Sequence, residues 1–340
     1  MTTSDCVRFG VIGAGRIGKL HAANLAARLE RAEVAGIADI DLAAAQATAR
    51  QWRIPRAESD YRRLLDDPAI TAVAICSATD THAAIVVAAA EAGKHIFCEK
   101  PIDFDLARID AALAAVARAG VTFQVGFNRR FDANFSQVRR MVAGGKIGTP
   151  HVLRITSRDP APPPLAYVRA SGGLFLDMTI HDFDMARFLI GSDVTEVYTL
   201  GAVRVDPEIG AAGDLDTAIV TLRFANGVLG TIDNSRRAVY GYDQRVEVFG
   251  DGGMVAVSNN LPDQHVYSNA EGVHSARPLY FFLERYNESY VAEMQAFVDS
   301  VLGGTPPPVT GLDGRVPVVM GLAARRSYDE GRPVKLSEIT

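Results

Sequence analysis

Apolar residues in the first third of the chain alternate between short continuous runs and longer stretches at helical spacing. The run Val7–Ile12 leads into the glycine-rich segment Gly13–Gly18, after which Leu20, Leu25 and Leu29 recur at helical spacing. This alternation predicts strands at Val7–Ile12, Glu33–Ala38, Ala72–Cys76, His95–Cys98 and Val121–Val125, and helices at Lys19–Leu29, Leu42–Gln51, Tyr61–Leu65, His82–Ala92 and Leu106–Arg118. Apolar strands alternating with helices indicate a parallel sheet covered on both faces, so we predict a doubly wound α/β domain over residues 1–126.

The rest of the chain has a different pattern, with few helices and a series of strands separated by turn signals. Asn226–Gly227 and Asp251–Gly253 are typical of hairpin turns. The predicted helices are Phe135–Ala143, Leu176–Ile190, Tyr290–Leu302 and Val316–Tyr328, and the predicted strands are His151–Thr156, Val194–Val203, Thr217–Phe224, Gly227–Asn234, Gln244–Phe249 and Gly253–Ser258. We therefore predict an α+β domain with a largely antiparallel sheet over residues 127–340.

The glycine-rich segment has the pattern GxGxxG, which alone could be a plain turn. Here it lies between a strand and a helix, and Asp39 ends the next strand, about 20 residues further on, as in dinucleotide-binding domains. Such glycines let the backbone approach a pyrophosphate, and the carboxylate can accept hydrogen bonds from the adenosine ribose. No basic residue follows Asp39 to accept a 2′-phosphate, so we expect NAD rather than NADP. The predicted contacts are Gly13, Gly15, Arg16, Ile17, Gly18 and Asp39.

Two further features suggest redox chemistry on a hydroxyl group. Lys100 follows a strand, at the sheet edge where α/β proteins place their ligands, although a solvated surface lysine is the ordinary alternative. Asp177, His181 and Asp184 recur at i, i+4 and i+7 on a mostly apolar predicted helix. Taken individually, Asp177 could be a helix cap and His181 a histidine of the core. Three polar residues on one face of an apolar helix instead indicate the wall of a pocket. We expect no metal, because the other histidines are dispersed.

Composition limits the partners and the compartment. The 340 residues include 35 Lys plus Arg against 40 Asp plus Glu, a formal net charge of -5 at pH 7, so we expect no nucleic-acid partner. Cys6, Cys76 and Cys98 form no CxxC pair, which predicts reduced thiols in the cytoplasm. The longest wholly apolar run, Ala83–Ala90, is far shorter than the ~20 residues of a membrane helix, and no secretion-signal pattern begins the chain.

Several of these motifs occur together in one family. The motifs are Gly13–Gly18, Thr81–His82, Ala92–His95, Glu99–Pro101, Gly126–Asp132 and Asp177–His181. The chain resembles the glucose-fructose oxidoreductase, inositol dehydrogenase and rhizopine-catabolism (Gfo/Idh/MocA) family, and looks most like its inositol 2-dehydrogenases. The resemblance implies a Rossmann domain, a second domain with an open sheet, and commonly a homotetramer formed through those sheets. It also implies cofactor contacts at Ser77, Thr79, His82, Glu99, Lys100 and Asn128.

By the same resemblance the catalytic residues are Lys100, Asp177 and His181. Oxidation of a secondary alcohol needs a base with a pKa near the working pH, which suits His181. Asp177 can orient the imidazole, and Lys100 can stabilise alkoxide charge. The candidate substrate contacts are Lys100, Arg129, Asp159, Tyr167, Asp177, His181, Asp184 and Tyr242.

The leading expectation is NAD-dependent oxidation of a cyclitol, most simply myo-inositol to its 2-keto form. One branch of inositol dehydrogenases has His-Arg-Asn-Pro where this chain has Ser157–Pro160, so the stereoisomer stays open. Other polyol, pyranose or anhydrosugar dehydrogenases remain alternatives, as does a glycoside hydrolase that uses NAD transiently. A non-catalytic NAD-binding regulator is a further alternative, against which the intact Lys100, Asp177 and His181 argue.

Overall fold

The computed structural model describes residues 6–340 and divides them into two compact units. Unit 1 comprises the chain up to Asn128 together with Glu288–Val316, and unit 2 comprises Arg129–Asn287 and Pro317–Thr340. No helix in residues 6–340 is long and apolar enough to span a membrane.

The secondary structure of unit 1 alternates strands and helices up to Asn128. Its strands are β1 (Val7–Ile12), β2 (Ala32–Ala38), β3 (Ala57–Glu58), β4 (Ala72–Ile75), β5 (His95–Glu99) and β6 (Phe123–Gly126), and its helices up to that point are α1 (Arg16–Ala27), α2 (Leu42–Trp52), α3 (Arg62–Leu65), α4 (Thr79–Glu91) and α5 (Leu106–Ala119). The six strands form one parallel sheet in the order β3-β2-β1-β4-β5-β6. The predicted doubly wound parallel sheet is confirmed.

The register of this sheet aligns the segments that follow three of its strands. Ile12 pairs with Ile75, and Ile75 pairs with Cys98. Because the strands are parallel, their carboxyl ends lie along one edge, where the order reverses between β1 and β4. The glycine turn after β1, the loop after β4 and Lys100 after β5 therefore share this edge.

The second segment of unit 1 consists mainly of one long helix, and it contributes to the core. Met294, Phe297 and Val298 are buried in the same cluster as Phe9 and Phe97. The Phe297 ring centroid lies 5.9 Å from that of Phe9 and 6.0 Å from that of Phe97. The compact units therefore differ from the predicted division at residue 126, because apolar packing assigns Glu288–Val316 to the first unit.

Unit 2 is built around a mixed seven-stranded sheet. The remaining strands are β7 (Pro150–Arg158), β8 (Val194–Ala202), β9 (Thr217–Phe224), β10 (Leu229–Ser235), β11 (Asp243–Gly250), β12 (Gly253–Val257), β13 (Val266–Asn269), β14 (Gly272–Ser275) and β15 (Val334–Lys335). The sheet order is β12-β11-β7-β10-β9-β8-β15, while β13 and β14 form a separate hairpin. The sheet is largely antiparallel, as predicted, with one parallel pair formed by β7 and β10.

The helices that begin after Asn128 complete the described chain. They are α6 (Ala133–Ala143), α7 (Leu165–Ala170), α8 (Gly173–Asp177), α9 (Thr179–Ile190), α10 (Pro207–Ala211), α11 (Phe282–Arg285), α12 (Asn287–Gly303) and α13 (Gly311–Glu330), with short 3₁₀ helices at Asn128–Phe131 and Leu336–Glu338. The single helix predicted over Leu176–Ile190 is wrong, because the chain breaks at Met178 and makes two helices, α8 and α9. The helix α7, just after the proline-rich loop, was not predicted.

One face of the large sheet is covered and the other carries exposed apolar residues. Along β9 every second residue is buried, which is the pattern of a strand with one covered face. Met254, Phe249, Val152 and Leu229 are paired in register across four strands, and three of them are about half exposed, at 53%, 48% and 50% for Met254, Phe249 and Leu229.

Candidate active site

The glycine turn after β1 has the geometry of a phosphate cradle. Gly13 has φ +106°, and a Cβ built there would lie 2.5 Å from the backbone oxygen of Cys76. A Cβ on Gly18 would lie 1.9 Å from the Gly13 oxygen, so both glycines are required by the packing of the turn itself. A Cβ on Gly15, in contrast, has no described atom within 4 Å. The turn thus leaves space at the position where a pyrophosphate would approach the backbone.

The start of α1 suits an anion. The helix begins at Arg16 with Gly15 at its N-cap, and its first turn contains no acidic residue. The partial positive charge of the helix N-terminus is therefore not offset by a carboxylate of that turn, and the Arg16 and Ile17 amides belong to this terminus.

Asp39 lies against the glycine turn. Its Oδ2 accepts a hydrogen bond from the Ala14 amide at 2.6 Å, and its Oδ1 accepts one from the Asp41 amide at 2.8 Å. An ionised carboxylate has about four acceptor sites, so two remain for the hydroxyls of a ribose. The glycine turn, the helix terminus and Asp39 together fit a dinucleotide.

The loop after β4 is tied to the segment that follows β5. The two ring nitrogens of His82 lie 2.8 Å from the Pro101 oxygen and 3.0 Å from the Ser77 oxygen, and the residue is 2% exposed. Ser77 Oγ lies 2.7 Å from Thr81 Oγ1, and Thr79 begins α4. His82 therefore joins the loop after β4 to the segment after β5, and its contact with a cofactor stays a prediction.

Glu99 belongs to a buried cluster in unit 1 with His21 and Glu293. Glu99 Oε1 lies 2.7 Å from His21 Nε2, and a carboxylate oxygen of Glu293 lies within 4.8 Å of both groups. Two ligands of one tetrahedral zinc ion would be on the order of 3.3 Å apart, so the short Glu99–His21 distance indicates a direct hydrogen bond. Glu99 thus faces the protein interior, where burial raises the pKa of Glu293 well above its usual range and the charge of Glu99 adds to that rise.

The predicted residues Lys100 and Asn128 also lie in unit 1. Lys100 immediately follows β5, is half-buried and precedes Pro101 through a cis peptide bond. Asn128 is buried, and its side-chain amide donates to Ser289 Oγ at 3.2 Å. Asp177 and His181 lie in unit 2.

Asp177 and His181 flank the break between α8 and α9. Asp177 is the last residue of α8, and His181 lies in the first turn of α9, both half-buried. Asp177 Oδ1 accepts a hydrogen bond from the Tyr167 hydroxyl at 2.9 Å, and Oδ2 accepts one from Arg236 Nη1 at 3.1 Å. The Asp177 carboxylate therefore joins side chains from α7 and from the end of β10, rather than acting as a simple helix cap.

Arg236 was not predicted as a site residue. It follows β10 directly and is one of the largest fully buried side chains, only 1% exposed. A charged residue immediately after an alternating strand was the available signal, and it is weak because most such arginines are solvated.

Asp159 is the second carboxylate beside Arg236. Its Oδ2 lies 3.9 Å from Arg236 Nη1, and its side chain is 24% exposed. Burial raises the pKa of Asp159 to about 7, with Asp177 adding to the rise and Arg236 opposing it. A carboxyl group that titrates near neutral pH beside Asp177 is typical of a functional site.

Arg129 and Tyr242, two predicted substrate contacts, are largely buried. Arg129 Nη1 donates to Asp182 Oδ1 at 2.6 Å and Nη2 to the Tyr242 hydroxyl at 3.3 Å, and the two residues are 5% and 7% exposed. Asp182 also accepts from the Asn234 amide at 2.8 Å. Arg129 and Tyr242 thus belong to one buried network, and their contact with a substrate stays a prediction.

Asp184 does not share the surroundings of Asp177 and His181. Its two oxygens accept from Arg130 Nε and Nη2 at distances of 2.6 to 3.0 Å, and its side chain is 1% exposed. The Asp184 carboxylate is engaged in a buried bidentate ion pair, and its contact with a substrate stays a prediction. The break at Met178 interrupts the helical periodicity only between Asp177 and His181, because His181 and Asp184 both lie in α9.

The two units therefore supply different parts of the chemistry. Unit 1 provides a dinucleotide cradle with a lysine at the same sheet edge. Unit 2 provides the half-buried His181, and it provides the carboxylates of Asp177 and Asp159 beside Arg236. Oxidation of an alcohol requires a base, an oriented carboxylate and a cofactor that accepts a hydride.

Comparison with known proteins assigns both parts of the chain. Residues 7–127 match the model of the oxidoreductase family with an NAD-binding Rossmann fold. Residues 135–256 match the model of the GFO/IDH/MocA C-terminal domain.

Similar proteins are matched along nearly their whole length. The myo-inositol 2-dehydrogenase of Thermotoga maritima is 50% identical, covering 98% of this chain and 99% of the relative. The inositol 2-dehydrogenase of Rhizobium meliloti is 44% identical, covering 97% of this chain and 99% of the relative.

Solved structures agree with this assignment. A probable dehydrogenase from Thermotoga maritima has a TM-score of 0.96 at 50% identity, covering 98% of this chain and 100% of that chain. A scyllo-inositol dehydrogenase from Lactobacillus casei, with bound NAD(H) and scyllo-inositol, has a TM-score of 0.92 at 30% identity, covering 98% and 99%. The chain thus belongs to the Gfo/Idh/MocA family of oxidoreductases, and its first unit is an NAD-binding Rossmann domain.

Proposed function

We propose that the protein catalyses NAD-dependent oxidation of a secondary hydroxyl of a cyclitol, converting myo-inositol to 2-keto-myo-inositol (scyllo-inosose). The observation that carries this proposal is the end-to-end similarity to the Thermotoga maritima protein named for that reaction. The Asp177 and His181 pair and the dinucleotide cradle supply the groups that such a reaction needs.

His181 acts in this proposal as the base that takes the hydroxyl proton. An imidazole side chain, with a reference pKa of about 6.5, can accept a proton near neutral pH. Asp177, held by Tyr167 and Arg236, stabilises the imidazolium that forms.

Lys100 acts as a hydrogen-bond donor to the reacting oxygen. A cationic donor stabilises the alkoxide charge that develops as the proton leaves. Bound NAD supplies the hydride acceptor for the carbon of the same hydroxyl group.

The polyol itself needs several polar partners besides the catalytic residues. Asp159 and Tyr167 have exposed side-chain area in unit 2, 24% for the Asp159 side chain and 50% for Tyr167 as a whole. Carboxylate and phenol groups can bind neighbouring hydroxyls through paired hydrogen bonds. We therefore retain these two residues as substrate contacts.

A second stereoisomer is also a candidate. The Lactobacillus casei structure that holds scyllo-inositol has the same fold over nearly the whole chain. Asp159, a carboxylate where one branch of the family has an amide, is the residue at which we expect the stereoisomers to be distinguished.

The assembly and the compartment follow as further proposals. A homotetramer formed through the large sheets would cover the apolar row of Met254, Phe249, Val152 and Leu229. Light scattering on the purified protein measures the mass, and a monomer would contradict this proposal. A cytoplasmic location agrees with the absence of a disulfide at Cys6, Cys76 and Cys98 in residues 6–340.

The experiment is an absorbance assay of the purified protein with NAD and a panel of inositol stereoisomers, pyranoses and anhydrosugars. Selective NADH production with myo-inositol supports the proposal, and selective turnover of scyllo-inositol supports the second candidate. NAD binding without NADH production from any compound contradicts both, and favours a regulator or a redox-neutral hydrolase.

A further inference from the structure

Arg236 is a buried cation surrounded by three carboxylates. Its side chain is 1% exposed, and Nη1 donates to Asp177 Oδ2 at 3.1 Å. Nη1 also lies 3.9 Å from an oxygen of Asp159, and Nη2 lies 4.0 Å from one of Asp214. A buried arginine needs such counter-charges, because an isolated charge in the interior is strongly destabilising.

The parallel pairing of β7 with β10 brings Arg236 and Asp159 together. Arg158, the last residue of β7, is in register with Ser235, the last residue of β10. The residues that follow them, Asp159 and Arg236, therefore leave the sheet at the same edge, and the Asp159 amide donates to the Ser235 oxygen at 2.9 Å. This proximity comes from the one parallel pair of the sheet.

Three carboxyl groups share Arg236 as a neighbour. Its guanidinium lies within 4.0 Å of Asp177, Asp159 and Asp214. Asp214 is compensated in part, since its oxygens accept from the Leu174 amide at 3.0 and 3.1 Å. Asp177 has the Tyr167 hydroxyl and Arg236, whereas Asp159 depends on Arg236 as its nearest cation in unit 2.

We propose that Arg236 is a positioning residue for the oxidation: it fixes the Asp177 carboxylate and balances the charge of the Asp177 and Asp159 pair. The proposal rests on the proposed function, because it assigns Asp177 a role in catalysis through His181. With Arg236 in place, the Asp177 carboxylate is held in a fixed position, and Asp159 is the carboxyl group of the pair that takes up a proton near neutral pH.

The raised pKa of Asp159 agrees with this arrangement. Burial is the main cause of the rise, the charge of Asp177 adds to it, and Arg236 acts in the opposite direction. Removal of Arg236 should raise the pKa of Asp159 further, because that carboxyl group loses a nearby positive charge. The charged or titratable groups that also bear on the pair are Tyr167, His181, Asp214, Arg129 and Asp182.

The kinetic test compares Arg236→Met and Arg236→Lys with the wild-type enzyme. In Arg236→Met we expect kcat/KM for the cyclitol to fall at least about tenfold at pH 7, and the acid limb of its pH profile to move up by about one unit. The KM for NAD should not change. Arg236→Lys keeps the charge and should restore the position of the acid limb.

A matched control is Arg285→Met, which removes another buried arginine of unit 2. Arg285 is 6% exposed and forms an ion pair with Asp132 at the N-terminus of α6. This variant should lose stability without moving the acid limb. An acid limb that stays in place in Arg236→Met, or moves equally in Arg285→Met, would overturn the proposal.

Thermal unfolding tests the charge balance without any turnover. An Asp159 pKa above its unfolded value of about 3.9 means that stability is lost as pH rises toward the folded pKa. In Arg236→Met this loss of stability should continue to higher pH. The amount by which the Tm of the variant lies below that of the wild-type protein should therefore increase between pH 6 and pH 9. In the double variant with Arg236→Met and Asp159→Asn, this increase in the Tm difference should be smaller.

The two measurements separate this proposal from the proposed function. If the wild-type protein oxidises no cyclitol, the proposed function fails, and the unfolding data still decide the role of Arg236. A Tm deficit that is equal at pH 6 and pH 9, with no recovery by Asp159→Asn, would overturn the charge balance whatever the substrate.

Discussion

The cofactor side and the substrate side of this protein are stabilised by different kinds of interaction. In unit 1 the cradle is mostly backbone: Gly18 touches the Gly13 carbonyl, and Asp39 accepts from two amides. In unit 2 the site consists of buried side-chain pairs, such as Arg129 with Asp182. A cofactor that is the same for many enzymes can be bound by backbone groups, whereas a particular polyol requires chosen side chains.

The difference has an energetic consequence. A glycine turn depends on local geometry, so a substitution there disrupts it through steric clashes. A buried ion pair depends on its partner, and removal of one member leaves a charge without compensation in the interior. Unit 2 should therefore be more sensitive than unit 1 to single charge changes.

The largest effect is expected when the proposed catalytic groups are removed from either unit. His181→Ala and Lys100→Met should each lower kcat by about 10²- to 10⁴-fold, because a base or a preorganised cation is lost. NADH binding, followed by fluorescence, should survive in both. Near-normal turnover in either variant contradicts the assignment.

The next largest effect tests the buried pairs of unit 2. Arg129→Met leaves Asp182 buried without its cation, and we expect the free energy of unfolding to fall by about 3–5 kcal/mol in urea titrations. Arg187→Met is the control, since its partner Asp193 is 74% exposed, and the loss there should be at most about 1 kcal/mol. Equal losses of unfolding free energy in the two variants would contradict the expected difference between a buried and an exposed ion pair.

Unit 1 also contains a buried side chain whose charge depends on pH, that of Glu293. Glu293 is fully buried next to Glu99 and His21, and its raised pKa means that the folded state keeps it neutral above the unfolded value of about 4.3. Wild-type stability relative to Glu293→Gln should therefore fall as pH rises from 5 to 8, by at most about 1.4 kcal/mol per pH unit. Thermal unfolding across this range measures the difference, and a pH-independent difference refutes a protonated Glu293.

The smallest effect concerns cofactor preference. Asp39→Ala removes the acceptor for the ribose hydroxyls and also the repulsion of a 2′-phosphate. The ratio of kcat/KM with NAD to kcat/KM with NADP should therefore fall by about tenfold. Asp41→Ala is the control, because that residue caps α2 through the Ala43 and Ala44 amides. Equal or better efficiency of the wild-type enzyme with NADP would contradict the NAD assignment.

Local patterns were sufficient for most of unit 1. Its strands and helices begin and end within a few residues of the predicted positions, except for the short strand β3, which was not predicted. The bounds of β1 agree fully with the prediction. Each of these elements depends on residues that are adjacent in sequence or one helical turn apart. The role of α12 could not be predicted in the same way, because its Phe297 is buried only through packing against distant strands.

Unit 2 shows where sequence patterns are insufficient. The polar spacing of Asp177, His181 and Asp184 suggested one face of one helix. The helix instead breaks at Met178, between Asp177 and His181, and Asp184 pairs with Arg130. The pattern records which residues are polar, but the pairing of a buried charge is decided by which elements meet.

The sequence by itself determined the doubly wound first unit, the dinucleotide cradle, the largely antiparallel second sheet and the residues Lys100, Asp177 and His181 as candidates for chemistry. Only the tertiary structure decided that β7 runs parallel to β10, that Arg236 reaches Asp177, and that Arg129 and Asp184 are engaged in buried pairs. The reason is physical: turns and helices are set by neighbouring residues, whereas the state of a buried charge depends on partners brought from remote parts of the chain.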